Sequence, residues 1–199
     1  MRPQRTPTDS TTRRLFAAVI PPPEAVAELS DILEPHQDRW PEIRWTISSG
    51  WHFTCAFMAR VDARQYPGLV AELADVAAAQ PRFALGIGGV GSFPAPGIAR
   101  ILWAGADDPT DDLEKLALAS RRAAGRAGIR AAGGLFTGHL TIARFGQPTD
   151  VRVQHHVLAD LAVPAWLVTE LVLVESLLGQ GPEGRPRYIV VERFGLARH

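Results

Sequence analysis

Apolar residues fall along this chain in runs that alternate with amphipathic stretches. Two nearly continuous runs, RLFAAVI over 14–20 and RILWAGA over 100–106, are stopped by Pro21-Pro22-Pro23 and by Asp107-Asp108-Pro109, and both predict buried strands. Each is followed by apolar residues at helical spacing. Glu24 to His36 carries Val26, Leu29, Ile32 and Leu33 on one stripe; Asp111 to Gly128 turns Leu113, Leu116, Leu118 and Ala124 inward. Proline and acidic residues open both segments, as the positive end of a helix dipole prefers. Each helix then leads to a short alternating segment, Trp51 to Phe57 and Gly138 to Arg144. From Arg14 to His52 is 38 residues and from Arg100 to His139 is 39, so the order of elements repeats. The repeat continues with helices over 66–79 and 150–161 and long strands over 83–93 and 165–178. A last strand over 188–194 closes the sheet of the first lobe. The expected fold is α+β: two pseudo-twofold-related lobes of antiparallel sheet with outer helices and a central cleft. Residues 1–13, rich in Arg, Thr and Pro, read as a flexible tail, and 14–199 as one bilobal domain.

Composition narrows the function classes. The chain has 199 residues, 46% hydrophobic and 21% charged, which suits a globular core. Lys and Arg number 21 against 21 Asp and Glu, so charge alone does not coat long nucleic acid, while short or terminal nucleic-acid substrates stay open. The single cysteine, Cys55, forms no internal disulfide and builds no cysteine zinc site. With no apolar run approaching a membrane span, the expectation is a cytoplasmic monomer without membrane association.

The repeat places His-x-Thr in equivalent positions of both lobes. Strand alternation puts His52 and Thr54 on one face and Phe53, Cys55 and Phe57 on the other; His139 and Thr141 likewise oppose Leu140 and Ile142. Pseudo-twofold symmetry then gathers two imidazoles and two hydroxyls around one cavity. Phosphodiester cleavage wants this set. A neutral imidazole takes a proton from the attacking oxygen, a protonated one gives a proton to the leaving oxygen, and hydroxyls hold the non-bridging oxygens.

On these residues the chain resembles the 2H phosphoesterase superfamily, and within it the RNA 2′,3′-cyclic phosphodiesterase branch, also called 2′-5′ RNA ligase. The likeness covers nearly everything after Arg13: RLFAAVIPP, Trp45 seven residues before HFT, Gly91-Ser92-Phe93-Pro94 leading into ARILWAG, HLTIAR, and Leu173 to Ser176 followed by Tyr188. The resemblance implies metal-independent opening of RNA 2′,3′-cyclic phosphate ends to 2′-phosphates, without cofactor, with ATP-independent 2′-5′ joining as the reverse reaction. It implies His52 as general acid and His139 as base for water, although symmetry permits the opposite, with Thr54 and Thr141 on the phosphate. Arg144 matches a phosphate-binding position. Strand alternation puts Arg144 opposite His139, so that role needs a twist or bulge. The chain departs from the family pattern at Trp51, Gly138 and Cys55. Trp51 reads as packing, Cys55 as a small core residue, and Gly138 as a residue that loosens the second motif.

Other features carry less. Adjacent on a helix, His155 and His156 diverge by about 100° and suit joint chelation poorly. Zinc at His52 and His139 lacks a third ligand at metal-site spacing. Arg121, Arg122, Arg126 and Arg130 form either a basic stripe for RNA backbone or a solvated helix face. Phe93, Trp103 and Phe136 are core aromatics or a base platform. The loop over 179–187 is placed to flank the cleft. Besides an enzyme acting on RNA ends or cyclic nucleotides, two readings remain: a non-catalytic nucleotide-binding module, and a cyclic phosphodiesterase for a small nucleotide metabolite.

Overall fold

A computed structural model describes residues 12–198. In chain order the elements are β1 (Arg13–Val19), α1 (Pro23–Arg39), β2 (Arg44–Trp45), β3 (Phe53–Val61), α2 (Tyr66–Ala79), β4 (Phe83–Phe93), β5 (Ala99–Asp107), α3 (Asp112–Arg126), β6 (His139–Thr149), α4 (Arg152–Val157), β7 (Ala162–Val168), β8 (Glu170–Leu177) and β9 (Arg187–Gly195). The fold is α+β with two antiparallel sheets, ordered β3-β1-β8-β9 and β2-β6-β5-β4-β7. Strand β1 begins one residue inside the expected tail, and residues 1–11 of that tail lie outside those described.

The repeat is real, but its third strands change places. β4, from the first repeat, pairs with β5 of the second; β8, from the second, pairs with β1 of the first. The orders β3-β1-β8 and β6-β5-β4 therefore match, and β9 extends the first sheet as the sequence predicts. The single strand expected over 165–178 divides at Thr169, with β7 in one sheet and β8 in the other. Both halves bury apolar residues and no Gly or Pro stands at the break, so the pattern alone shows no boundary. The helix expected over 150–161 ends at Val157, and a hydrogen-bonded turn carries Leu158 and Leu161 into the core instead.

One contiguous core joins the inward faces of both sheets to the helices: Leu15, Ala17 and Val19 from β1, Phe53 and Cys55 from β3, Leu102 and Ala104 from β5, Leu140 and Ile142 from β6. Helix α3 buries Leu113, Leu116, Ala117, Ser120, Ala123 and Ala124, a stripe at i, i+3, i+4, i+7 and beyond. Leu118 lies about 140° around from Leu113 and is exposed, against expectation. The start of α3 is fixed by Asp108, whose two carboxylate oxygens accept from the Asp112 and Leu113 backbone N–H groups at 3.1 and 2.9 Å.

Gly138 does not loosen its motif. A Cβ there would stand 2.8 Å from the Ala106 Cβ and 3.2 Å from Leu113 Cδ2, so glycine is what lets this segment pass closely beneath β5 and α3. Trp51 is buried as expected, and its indole N–H donates to Thr46 Oγ1 at 3.0 Å.

Candidate active site

Both motif strands carry a bulge at the same place. Along β3 the pairing runs Phe53 with Val19 and Thr54 with Ala18, then skips to Ala56 with Ala17, leaving Cys55 as the extra residue. Along β6 it runs Leu140 with Ala104 and Thr141 with Trp103, then skips to Ala143 with Leu102, leaving Ile142 extra. Each bulge puts two successive side chains into the core, Cys55 and Ala56 in one strand and Ile142 and Ala143 in the other. It also returns the next residue to the His and Thr face. Arg144 thereby reaches the cleft, where strict alternation would have turned it away. By the same device Phe57 joins Phe16, Ala18, Val172 and Val174 on the cleft side of the first sheet, correcting the expectation that it opposes His52.

The imidazoles are held alike. His52 Nδ1–H donates to the Gly50 carbonyl at 2.7 Å, and His139 Nδ1–H donates to the Thr137 carbonyl at 2.8 Å. A carbonyl only accepts, so in the neutral rings the proton sits on Nδ1 and Nε2 presents its lone pair. Their surroundings differ. The His52 ring stacks on Phe16, with centroids 4.5 Å apart and planes at 27°, and meets Tyr188 edge-on at 5.3 Å. His139 is more open, with Phe93 edge-on at 5.0 Å and Trp103 tilted at 6.0 Å. Trp103 lies flat over Gly91, where any Cβ would fall about 2.0 Å from the indole ring.

Burial opposes the imidazolium at both positions. It lowers His52 to about 4, the Gly50 carbonyl offsetting part of the effect and the charges of Arg144 and His139 adding to it. His139 is also lowered, first by burial and then by Arg144, against the Thr137 carbonyl.

A cavity of about 290 Å³ opens beside these groups, lined by His52, Thr141 and Arg144 together with Arg44, Trp45, Arg185, Arg187 and Tyr188. Thr54 and His139 stand on the motif faces outside that lining. Sequence reasoning missed Arg44, Arg185 and the contacts of Phe16 and Tyr188 with His52. The loop over 179–187 does flank the cleft, as expected, and supplies Arg185 and Arg187.

The remaining candidates fall elsewhere. Arg126 pairs with Glu72 of α2, Arg121 donates to the Gly134 carbonyl and covers Phe136, and Arg130 lies beyond the end of α3. Among the described residues no group of three or more His, Cys, Asp or Glu is placed to hold a metal ion, and no helix is long and apolar enough to cross a membrane.

The family model of the 2′-5′ RNA ligase superfamily matches residues 50–180. Among solved structures, E. coli LigT in apo form is 26% identical, covering 94% of this chain and 98% of that one with a TM-score of 0.72. TT0787 of Thermus thermophilus is also 26% identical, covering 94% and 99% with a TM-score of 0.76. E. coli LigT complexed with 3′-AMP is similar at 26% identity, covering 93% and 98% with a TM-score of 0.73. No curated protein sequence matches the chain.

Proposed function

The chain belongs to the 2′-5′ RNA ligase superfamily, and from that premise we propose that it hydrolyses RNA 2′,3′-cyclic phosphate ends to 2′-phosphates, with His52 and His139 as the acid–base pair. Membership brings a cyclic-phosphodiesterase type of activity; the RNA end as substrate and the roles of individual residues are our reading. One observation carries it. Two imidazoles, each held at Nδ1 by a backbone carbonyl so that Nε2 is left to exchange a proton, stand at motif strands bulged alike, with Arg144 returned to their face by one of those bulges.

In this reading Thr54, Thr141 and Arg144 hold the non-bridging oxygens, where charge gathers as the phosphorus becomes five-coordinate. His139, the more open ring, takes a proton from water as the water oxygen bonds to phosphorus. His52 gives a proton to O3′ as the P–O3′ bond breaks, leaving the phosphate on O2′. Burial makes a protonated His52 a strong acid, and the bound phosphate anion offsets its reluctance to hold the proton. Joining follows the same path with the 5′-hydroxyl of a second RNA end in place of water: its oxygen bonds to phosphorus as the P–O3′ bond breaks, leaving a 2′-5′ diester with no nucleotide triphosphate consumed. The presence of a 3′-phosphorylated ribonucleotide in the E. coli LigT complex supports a ribonucleotide end as ligand.

The test is incubation with an RNA oligonucleotide ending in a 2′,3′-cyclic phosphate, in EDTA, beside His52→Ala and His139→Ala. We expect a 2′-phosphate product from the unsubstituted protein alone. Binding without product would instead favour a nucleotide-binding module.

A further inference from the structure

The cavity beside His52 carries more positive charge than a single cyclic phosphate, a monoanion, requires. Arg44, Arg144, Arg185 and Arg187 all line it, and no Asp or Glu does. Arg44 and Arg144 are direct partners across the β2–β6 pair, so their side chains leave the sheet on the same side. Like charges placed opposite each other in this way are unfavourable. Among the ion pairs of the described residues, none involves Arg44, Arg144 or Arg187.

Arg185 has a different employment. Its Nη2 meets the Glu183 carboxylate at 2.8 Å and its Nη1 donates to the Trp45 carbonyl at 2.9 Å, while Arg44 Nη2 donates to the Glu183 carbonyl at 3.1 Å. These bonds hold the loop against β2 and make it a wall of the cavity. Arg187 lines the cavity together with Tyr188, the residue whose ring meets His52. Trp45 and Ile47 supply apolar surface along the same cavity, which suits a sugar or base lying between two anionic ends.

We propose that Arg44 and Arg187 form a second anion subsite, which takes the 5′-phosphate of the nucleotide whose cyclic phosphate sits at His52 and Thr141. The proposal rests on the phosphodiesterase reading above and deepens it: the protein selects nucleotides joined into a chain over nucleosides bearing only the cyclic group. Guanidinium forks match phosphate oxygens in geometry as well as charge, and a bound phosphate relieves the repulsion between Arg44 and Arg144. The cavity walls exclude part of the solvent and strengthen the field.

Calorimetry with non-reacting ligands tests this without requiring turnover. Uridine 3′,5′-bisphosphate is compared with uridine 3′-monophosphate at low salt. We expect the bisphosphate to bind about tenfold tighter or more, as a charge-assisted contact contributes, with the preference shrinking as salt rises. The double substitution Arg44→Gln with Arg187→Gln should bring the two affinities within about twofold. Arg187→Gln alone should remove part of the preference; it leaves the Arg44 and Arg185 bonds to the loop in place and so separates charge from loop disruption. Equal affinities in the unsubstituted protein, or a preference that survives the double substitution, would overturn the subsite. A bisphosphate preference in a protein that opens no cyclic phosphate would leave the subsite standing and sink the catalytic reading instead.

Discussion

Phe57 and Arg144 occupy equivalent places in the two halves of the molecule. Each follows its motif histidine by five residues, each is turned to the histidine's face by a bulge, and each sits across from a β-strand partner at the same point of the repeat, Phe16 for Phe57 and Ile101 for Arg144. The pseudo-symmetry is therefore broken chemically where it holds geometrically: one half offers an aromatic ring, the other a guanidinium. Arg14 lies over the Phe57 ring at 4.3 Å, so the first half has its own cation, stacked on a ring on the cleft side.

Removing Arg144 tests the consequence for phosphate binding. Arg144→Gln should lower kcat/KM by about 10- to 100-fold, the range for losing a hydrogen bond to a charged group. Its effect should be felt at every RNA sequence, because the contact is to phosphate. A loss confined to some terminal bases would place Arg144 on the base instead.

The pH profile follows from the two lowered imidazoles. Since one ring must be charged and the other neutral, kcat/KM should be bell-shaped, with an acid limb near 4 and an alkaline limb below 6.5. The optimum falls between the two limbs whichever ring carries the proton. A plateau extending past about pH 7.5 would sink this expectation.

Stability should also record His52. The folded ring resists protonation to about pH 4 whereas an unfolded histidine accepts a proton near 6.5, so between those values the unfolded chain binds more protons. Its contribution is whole above about pH 6.5 and falls by about 1.4 kcal/mol for each pH unit toward 4. Lowering of His139 acts in the same direction. Urea titrations across this window should show a shallower slope for His52→Gln; an unchanged slope would assign the loss to other groups.

Gly91 is the fourth test. Its Cα is the surface on which Trp103 rests, so Gly91→Ala must lift the indole and with it the contacts of Trp103 and Phe93 on His139. We expect destabilisation of about 1–3 kcal/mol, as overpacking costs, together with reduced turnover. Ala18, which holds the place of Trp103 in the other sheet, faces Val172 rather than a glycine. There the large and small residues are exchanged, so a Trp103→Ala variant should remain folded by thermal melt while losing rate.

Much of this is legible in the sequence, for identifiable reasons. The helix over 66–79 and the strand over 83–93 agree with the structure residue for residue, because clear punctuation flanks both. The two His-x-Thr positions emerge from the repeat itself. Phe57 and Arg144 are misplaced by alternation because a bulge adds one residue without marking it: Cys55 and Ile142 look like any other inward residue of an alternating strand. The arginines at 44 and 185 escape for another reason. They reach the cavity from a two-residue strand and from a loop, where periodicity carries no information about direction.

The exchanged third strands bear on how such a molecule arose. Cut between β4 and β5, each half would possess a strand fitted to the sheet of the other and lack one for its own. A half-length ancestor following this path would complete its sheets only by lending that strand to a second copy, as a swapped homodimer with the two motif histidines contributed by different subunits. Fusion of two such copies into one chain would free each motif to change alone, and a ring at position 57 against a guanidinium at position 144 is the kind of difference that freedom permits.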